Sequence, residues 1–574
     1  TFERTRMRFF SCLLLLLFAT VVICEDWTLK KGGKQILEHV ESTTNHWAIE
    51  LAPGVNPFEI AERHGHEYLG QIGSLSGIHL FKKKESTKHG VTHPHHDESP
   101  EIKWSQNQIR RLRAKRTEVS DPLYAQQWHL YQNPSLGNVH INIQPAWDQN
   151  ITGNGVVIAI VDDGLEYTHG DLSDNYVAEG SYDFNYMDDN PSPDLPSDDH
   201  GTSAAGVAGA RDNSVCGVGS AFRAGLSGLR LISVESTDAD EAAALNYRYD
   251  INHIYSNSWG PIDDAQRLEG PERLAAMALE NGVAEGRGGL GSIYIWAAGN
   301  GLRANDNCNY DGWANSRYTI AVSAVDYRGM QAWYSEPCSM IVVCAPSSGN
   351  SKAIVTTDLQ GNRGSTSSDC TTGFGGTSAA APLVAGVAAL ILEANPTLGW
   401  RDVQAILLST ATKNSPTDAA WITNGAGFHV NHKYGFGLVD ASKAVEAAKK
   451  WANLPENLQV EGSSGALKEI ADDSTVDSTI LISKNIIVEH VEVETQIQHA
   501  RRGDLKIILI SPSGTESVLA EPHSDNNADV VWKFRSIFCW GENSAGQWRL
   551  RIQDSTRNSK TGRLLSWTVR VFGH

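Results

Sequence analysis

Between residues 121 and 450 short β-branched apolar runs alternate with glycine-rich loops and longer apolar segments. Val156 to Val161 is uniformly apolar and leads straight into Asp162, the pattern of a strand covered on both faces. Ser292 to Ala298 repeats it and stops at Gly299-Asn300-Gly301. Ala379 to Ala394, apolar and alanine-rich, predicts a buried helix. This alternation predicts an α/β fold with a doubly wound, mostly parallel sheet, whose chemistry gathers at the C-terminal ends of the strands. From about Pro455 the pattern changes. Lys506 to Ile510 and Leu565 to Phe572 lie between turn clusters such as Ser511-Pro512-Ser513-Gly514, which predicts an all-β sandwich of the jelly-roll kind. Upstream, alternation in His46 to Leu51 is followed by a polar, histidine-rich stretch from Lys88 to Asp97, and this region reads as a small α+β domain. The predicted division is 1–24, 25–116, 117–454 and 455–574.

Residues 1–24 carry Arg4, Arg6 and Arg8, then an apolar run from Phe9 to Ile23, with acidic Glu25-Asp26 directly after. A basic flank, a short apolar run and small residues near a cut describe a secretory signal peptide, cleaved near Cys24; Met7 reads as the start. The run is shorter than the roughly 20 residues of a membrane span, and no later run is long enough, so no anchor is visible. Gln106 to Arg116 ends in Arg113-Ala114-Lys115-Arg116, a basic run in an acidic chain, and reads as a processing site after Arg116. The formal charge of -19 argues against nucleic acid and anionic membranes as partners and favours cationic ligands. A hydrophobic content of 41% fits a globular protein. Beyond the signal peptide stand Cys216, Cys308, Cys338, Cys344, Cys370 and Cys539, in a compartment that permits disulfides. Six cysteines allow 15 connectivities, so count alone assigns none. Asn150-Ile151-Thr152 is a glycosylation sequon.

Three stretches supply chemistry. Asp162-Asp163-Gly164, His200-Gly201-Thr202 and Gly376-Thr377-Ser378-Ala379-Ala380-Ala381-Pro382 offer a carboxylate, an imidazole and a hydroxyl in that order. They are the parts of a nucleophile relay: a carboxylate that fixes the imidazole tautomer, an imidazole that takes the hydroxyl proton, and the attacking oxygen. Chymotrypsin-like chains run His-Asp-Ser and α/β-hydrolases Ser-Asp-His, so the order here is that of subtilisin. Ser378 opens the predicted helix, so its own N–H lies at the positive helix end. Asn300 is the candidate side-chain donor for the oxyanion.

The surrounding residues carry a narrower resemblance. Asp162-Asp163-Gly164, Asn257-Ser258-Trp259-Gly260-Pro261, Gly286-Arg287-Gly288-Gly289-Leu290-Gly291-Ser292 and Trp333-Tyr334-Ser335-Glu336 resemble the kexin/furin proprotein convertases of the subtilase family. Arg501-Arg502-Gly503-Asp504-Leu505 and Ser511-Pro512-Ser513-Gly514-Thr515 resemble their P domain. The resemblance implies a calcium-dependent serine endopeptidase of the secretory pathway, acting as a monomer on proprotein substrates after paired or clustered basic residues. It implies residues 25–116 as an inhibitory propeptide and self-activation after Arg116. By the same resemblance Asp263 and Asp311 serve the first specificity pocket, with Trp259 and Gly260 beside them and Trp313 as an aromatic wall. Asp163 serves the second, and Glu241 with Glu269 the fourth. One calcium site would use Asp121, Asp171 and Asn213 with carbonyls near Val215 and Gly217; another would use Asp263, Asp306 and Glu336. A third would include Asp183, although Asp188-Asp189-Asn190-Pro191-Ser192 departs from the pattern. Cys216 would pair with Cys370 and Cys308 with Cys338, leaving Cys344 and Cys539 unassigned. The chain departs elsewhere too: Pro196-Ser197-Asp198-Asp199 precedes His200, Ser203-Ala204-Ala205 stands where the family has a cysteine shortly after that histidine, and Ser233 replaces an acid. Nine of 20 histidines fall in residues 25–116, which suggests that acidification loosens the propeptide. A broad-specificity secreted subtilisin-like protease, cutting after apolar residues, is the rival reading.

Overall fold

The computed structural model describes residues 43–84, 99–109, 119–131, 135–465 and 467–574. The signal-peptide segment, Lys88 to Asp97 and Arg116 lie outside the described residues. The chain forms two compact units, Thr1–Arg113 and Ala114–His574.

In the first unit, β1 (Thr43–Leu51), β2 (His66–Gln71), β3 (Ile78–Lys83) and β4 (Ile102–Ile109) form an antiparallel sheet in the order β2-β3-β1-β4. The helix α1 (Pro57–Arg63) begins with proline at its first position, and the Asn56 side chain caps it by accepting from the Phe58 N–H. Ile49, Leu51, Ile60, Phe81 and Ile102 form its core. The α+β character follows the alternation of β1 and the single helix.

The second unit is built on seven strands: β5 (Val157–Asp162), β6 (Tyr182–Asp183), β7 (Gly225–Arg230), β8 (Ile254–Asn257), β9 (Ile293–Ala297), β10 (Thr319–Val325) and β11 (Ile341–Pro346). Their order is β11-β10-β9-β8-β5-β7-β6, and every neighbouring pair is parallel. Two registers set the functional edge. Val161 on β5 lies beside Asn257 on β8, and Asn257 lies beside Trp296 on β9. The residues that follow, Asp162, Ser258 and Ala297 to Asn300, therefore emerge at one edge of the sheet. Among the helices, α2 (Gln144–Trp147), α3 (His200–Gly209), α4 (Asp238–Leu245), α5 (Arg273–Gly289), α6 (Thr377–Ala394), α7 (Trp400–Thr410) and α8 (Ala441–Ala448), the buried pair α3 and α6 matters most for the site. They pack on each other, α3 against β5 and α6 against β8 to β11.

The C-terminal region folds as two antiparallel sheets. One joins Leu458–Ser464, Gly562–Gly573, Val488–His499 and Val530–Ser536, with Lys468–Ile470 alongside; the other joins Thr475–Ile482, Gly546–Asp554, Leu505–Ile510 and Glu516–Ala520. Inward-facing Val491, Val493, Leu509, Trp548, Leu550 and Trp567 fill the space between them, as period-2 alternation requires. This sandwich is welded to the α/β region. Ile537, Phe538 and Trp540 belong to the α/β core, and Arg535 donates from its backbone N–H to Asn309 Oδ1 at 2.9 Å and from its guanidinium to Asn315 Oδ1 at 2.8 Å. The Trp532 indole N–H donates to the Asn309 carbonyl at 2.7 Å. Disulfides join Cys216 to Cys370 and Cys308 to Cys338, while Cys344 and Cys539 are buried thiols.

Candidate active site

Asp162 closes β5 and is 1% exposed. Its two oxygens face His200 Nδ1 at 2.9 and 3.0 Å, which holds the ring by one nitrogen and leaves the other for the cleft. Burial works against the protonated imidazole, but the Asp162 charge and hydrogen bond outweigh it and hold His200 above its ordinary range. The adjacent carboxylate does a different job. Asp163 accepts from the His200 and Gly201 backbone N–H groups at 3.2 and 2.7 Å, anchoring the first turn of α3 beneath the imidazole. Burial, then the Asp162 charge, pushes the Asp163 carboxyl up. Glycine is required after His200 because a Cβ there would fall 2.2 Å from the Gly164 carbonyl.

Ser378 is the second residue of α6, after Gly376 at φ 74, a left-handed conformation that glycine adopts freely. It is 8% exposed, and its carbonyl accepts from Ser258 Oγ at 3.3 Å. Asn300 bridges to the same turn: its Oδ1 accepts from the Thr377 N–H at 2.8 Å and from Thr377 Oγ1 at 3.1 Å. With its oxygen committed, the amide presents its NH2 as a donor beside the Ser378 N–H.

A cavity of 170 Å³ opens beside Ser378, lined by Trp259, Gly260, Asp263, Asn300 and Asp311 among others. Asp311 Oδ1 accepts from the Trp313 and Ala314 N–H groups at 2.7 and 3.1 Å, and burial pushes its carboxyl up to about 7. Gly260 admits it closely, since a Cβ would lie 2.7 Å from Asp311 Oδ2. Asp263 Oδ2 accepts from the Asn300 N–H at 3.0 Å, which ties a wall of the cavity to the candidate oxyanion donor. Trp313 does not line this cavity directly; it is buried and meets Trp259 edge-on at 5.8 Å. Glu241, on α4, accepts from Ser236 Oγ at 3.3 Å, and burial followed by Asp238, Glu269 and Glu272 raises its carboxyl to about 7. Glu269 bridges to Asp311 through the backbone, Gly312 N–H to Glu269 carbonyl at 2.8 Å.

Two acidic groups could hold a cation. Asp263, Asp306 and Glu336 bring carboxylate oxygens within 4.8 Å of one another, and burial drives the Asp306 carboxyl up to about 6 and that of Glu336 well above its ordinary value. The Cys308–Cys338 bridge ties the segment carrying Asp306 to the one carrying Glu336. In the second group Asp121 and Asp171 are both buried, and Asn213 joins them by its backbone N–H to Asp121 at 3.2 Å and its amide to Asp171 Oδ1 at 2.9 Å. Val215 closes the turn, its N–H on Asn213 Oδ1 at 2.6 Å, and the Gly217 backbone bonds to Asp171. Asp171 Oδ2 is buried with no hydrogen-bond partner, and burial with the Asp121 charge lifts Asp171 to about 8. A buried carboxylate oxygen without a proton donor fits a hard cation.

Asp183 belongs to neither group. The fully buried Arg230 guanidinium bonds Asp183 Oδ2 at 2.7 Å and Asp198 Oδ2 at 3.0 Å, and Ser233 Oγ donates to Asp198 at 2.7 Å. An internal cation thus occupies the surroundings of Asp183, where the resemblance implied a third calcium ligand, and Asp198 supplies a charge beside Ser233. Sequence reasoning missed this because nothing in Gly225 to Arg230 marks its arginine as buried. Asn150 is exposed, at φ 60 after α2. Arg116 lies outside the described residues.

The subtilase family model matches residues 153–437, the peptidase S8 pro-domain model 46–116 and the proprotein convertase P-domain model 488–571. The fold resembles a serine protease of Aeromonas sobria, with a TM-score of 0.72 at 27% identity over 80% of this chain and 96% of that one. The class is therefore that of subtilisin-like serine endopeptidases. Human proprotein convertase subtilisin/kexin type 6 is 41% identical over 92% of this chain and 58% of its own length. Rat furin is 39% identical over 95% and 71%, and a PC3-like endoprotease of Hydra vulgaris 38% identical over 94% and 84%. This chain belongs to the furin- and kexin-like proprotein convertases. It spans little more than half of the human type 6 relative and 30% of human type 5.

Proposed function

We propose that the chain cleaves secretory precursors after paired or clustered basic residues. Ser378 Oγ attacks the carbonyl carbon while His200 takes its proton, with Asp162 stabilising the imidazolium. The Ser378 N–H and the Asn300 amide hold the oxyanion. His200 then returns the proton to the leaving amine, and water repeats the sequence to release the acid. The observation that carries the choice of target is the 170 Å³ cavity at Ser378, walled by Asp263 and Asp311 with, among the described residues, no cationic side chain lining it. A neutral side chain would leave these carboxylates desolvated and unpaired, at about 2–5 kcal/mol. Glu241 and Glu269 extend the acidic field toward the fourth position upstream of the bond, and Asp163 underlies the second.

Calcium would be held by Asp121, Asp171 and Asn213 with nearby carbonyls of Val215 and Gly217, and by Asp263, Asp306 and Glu336. When bound it neutralises carboxylates that are otherwise mutually repelling. Residues 25–116 act in this reading as inhibitor and folding aid, released after Arg116 in the secretory pathway. Peptides ending in Arg-x-Lys-Arg and Ala-Ala-Pro-Phe, assayed with and without chelator, test it. Calcium-dependent cleavage of the basic peptide alone is expected; preference for the phenylalanine peptide would favour the broad-specificity alternative.

A further inference from the structure

A second cavity of 490 Å³ lies beside the relay, lined by Asp199, His200, Ser203, Thr372, Phe374 and Gly375 among others. It shares no lining residue with the cavity at Asp263 and Asp311. Gly375 borders one and Thr377 the other, so the two flank the turn that presents Ser378. A chain whose acyl side chain occupies the first cavity must leave across the second. His200, which hands its proton to the leaving amine, forms part of that second wall, with the Phe374 ring edge-on to it at 5.4 Å. We propose that Asp199 selects a cationic side chain, lysine or arginine, at the residue immediately after the scissile bond.

Among the described residues Asp199 is the acid that lines this cavity, and Asp358 and His200 act on it through space without pairing with it. Its neighbour Asp198 is turned inward onto Arg230. Asp358 is fully buried and spent on its own loop, accepting from the N–H groups of Leu359, Ser365 and Thr366 and from the hydroxyls of Ser365 and Thr366. Arg363 pairs with Glu166. Asp199 is half-buried and, among the described residues, forms no ion pair. The Ser203 hydroxyl is committed to the Thr357 carbonyl at 2.8 Å. Burial, then Asp358, pushes the Asp199 carboxyl up, which marks a carboxylate that gains from an incoming cation.

This inference rests on the proposed function's nucleophile, Ser378, and on the acyl side chain occupying the first cavity, and assumes nothing about the charge of the residues before the bond. The test is digestion of a proteome-derived peptide library by the matured protein, with cleavage sites read by mass spectrometry. Lysine plus arginine should exceed aspartate plus glutamate at the first leaving residue by roughly five- to tenfold, the range for a partly screened ion pair. Asp199→Asn should bring the ratio to within about twofold while preferences before the bond stay put. Thr372→Lys, exposed on the same cavity wall and away from the His200 turn, should abolish the preference by supplying an internal cation. A wild-type protein with no cationic preference there, or variants that both retain it, would overturn the assignment. Failure of the underlying reaction would look different: no cleavage at all, or cleavage that survives Ser378→Ala.

Discussion

Removing the cation proposed for the Asp121–Asp171 cradle should destabilise the protein most at alkaline pH. In the metal-free state Asp171 carries a buried oxygen with no partner, and burial and Asp121 raise its carboxyl to about 8. An unfolded aspartate titrates near 3.9. The folded state therefore binds more protons than the unfolded one between these values, so stability is complete below about pH 4 and is lost as pH rises through 8. Each tenfold change in proton affinity is worth 1.36 kcal/mol, so keeping Asp171 ionised at pH 8 without metal costs on the order of 5 kcal/mol. About 3 kcal/mol of this falls between pH 5.5 and pH 8, so at about 2 °C per kcal/mol for a large domain, thermal unfolding of the matured protein in chelator should fall by on the order of 6 °C over that range. Saturating calcium should flatten the profile by binding only the folded state. Other acids contribute in the same direction, so Asp171→Asn isolates the cradle. It should be more stable than wild type in chelator at pH 8 and less stable in calcium. A variant destabilised equally under both conditions would refute the reasoning.

Ser378→Ala should abolish peptide cleavage, with kcat/KM down by roughly 10⁶, and leave the propeptide uncut after Arg116 on an immunoblot. Asn300→Ala should lower kcat by about 10²–10³ with little change in KM, since the oxyanion exists only in the transition state. Asp311→Asn should cost cleavage after arginine at least about thirtyfold in kcat/KM while sparing a neutral residue at that position. Because burial raises Glu241 to about 7, the advantage of arginine over alanine four residues before the bond should grow between pH 6 and pH 8. In Glu241→Gln that ratio should be flat with pH.

The relay was readable in sequence because each member ends or begins a regular element. Asp162 closes a wholly apolar strand, His200 begins a run of small residues, and Ser378 opens an alanine-rich helix. Parallel pairing did the rest, since the register of β5, β8 and β9 leaves their following residues at one edge. Charges that meet across distant segments were not readable. The Arg230–Asp183–Asp198 cluster depends on β6, β7 and the loop before His200 converging, and no local pattern announces an arginine in a core. Asp199 was likewise one acid in a departing loop until Phe374 and Gly375 were seen to close a cavity around it.

The seam between the sandwich and the α/β region reaches the segment from Asp306 to Asp311. Asn309 and Tyr310 stand between Asp306 and Asp311, and both are held from the far side: Asn309 by Arg535 and Trp532, Tyr310 by the Glu521 carbonyl at 3.0 Å. The peptide segment proposed to set selectivity is thus held from both regions. A C-terminal region swapped for a foreign one would remove both holds on this segment without touching a residue of the relay.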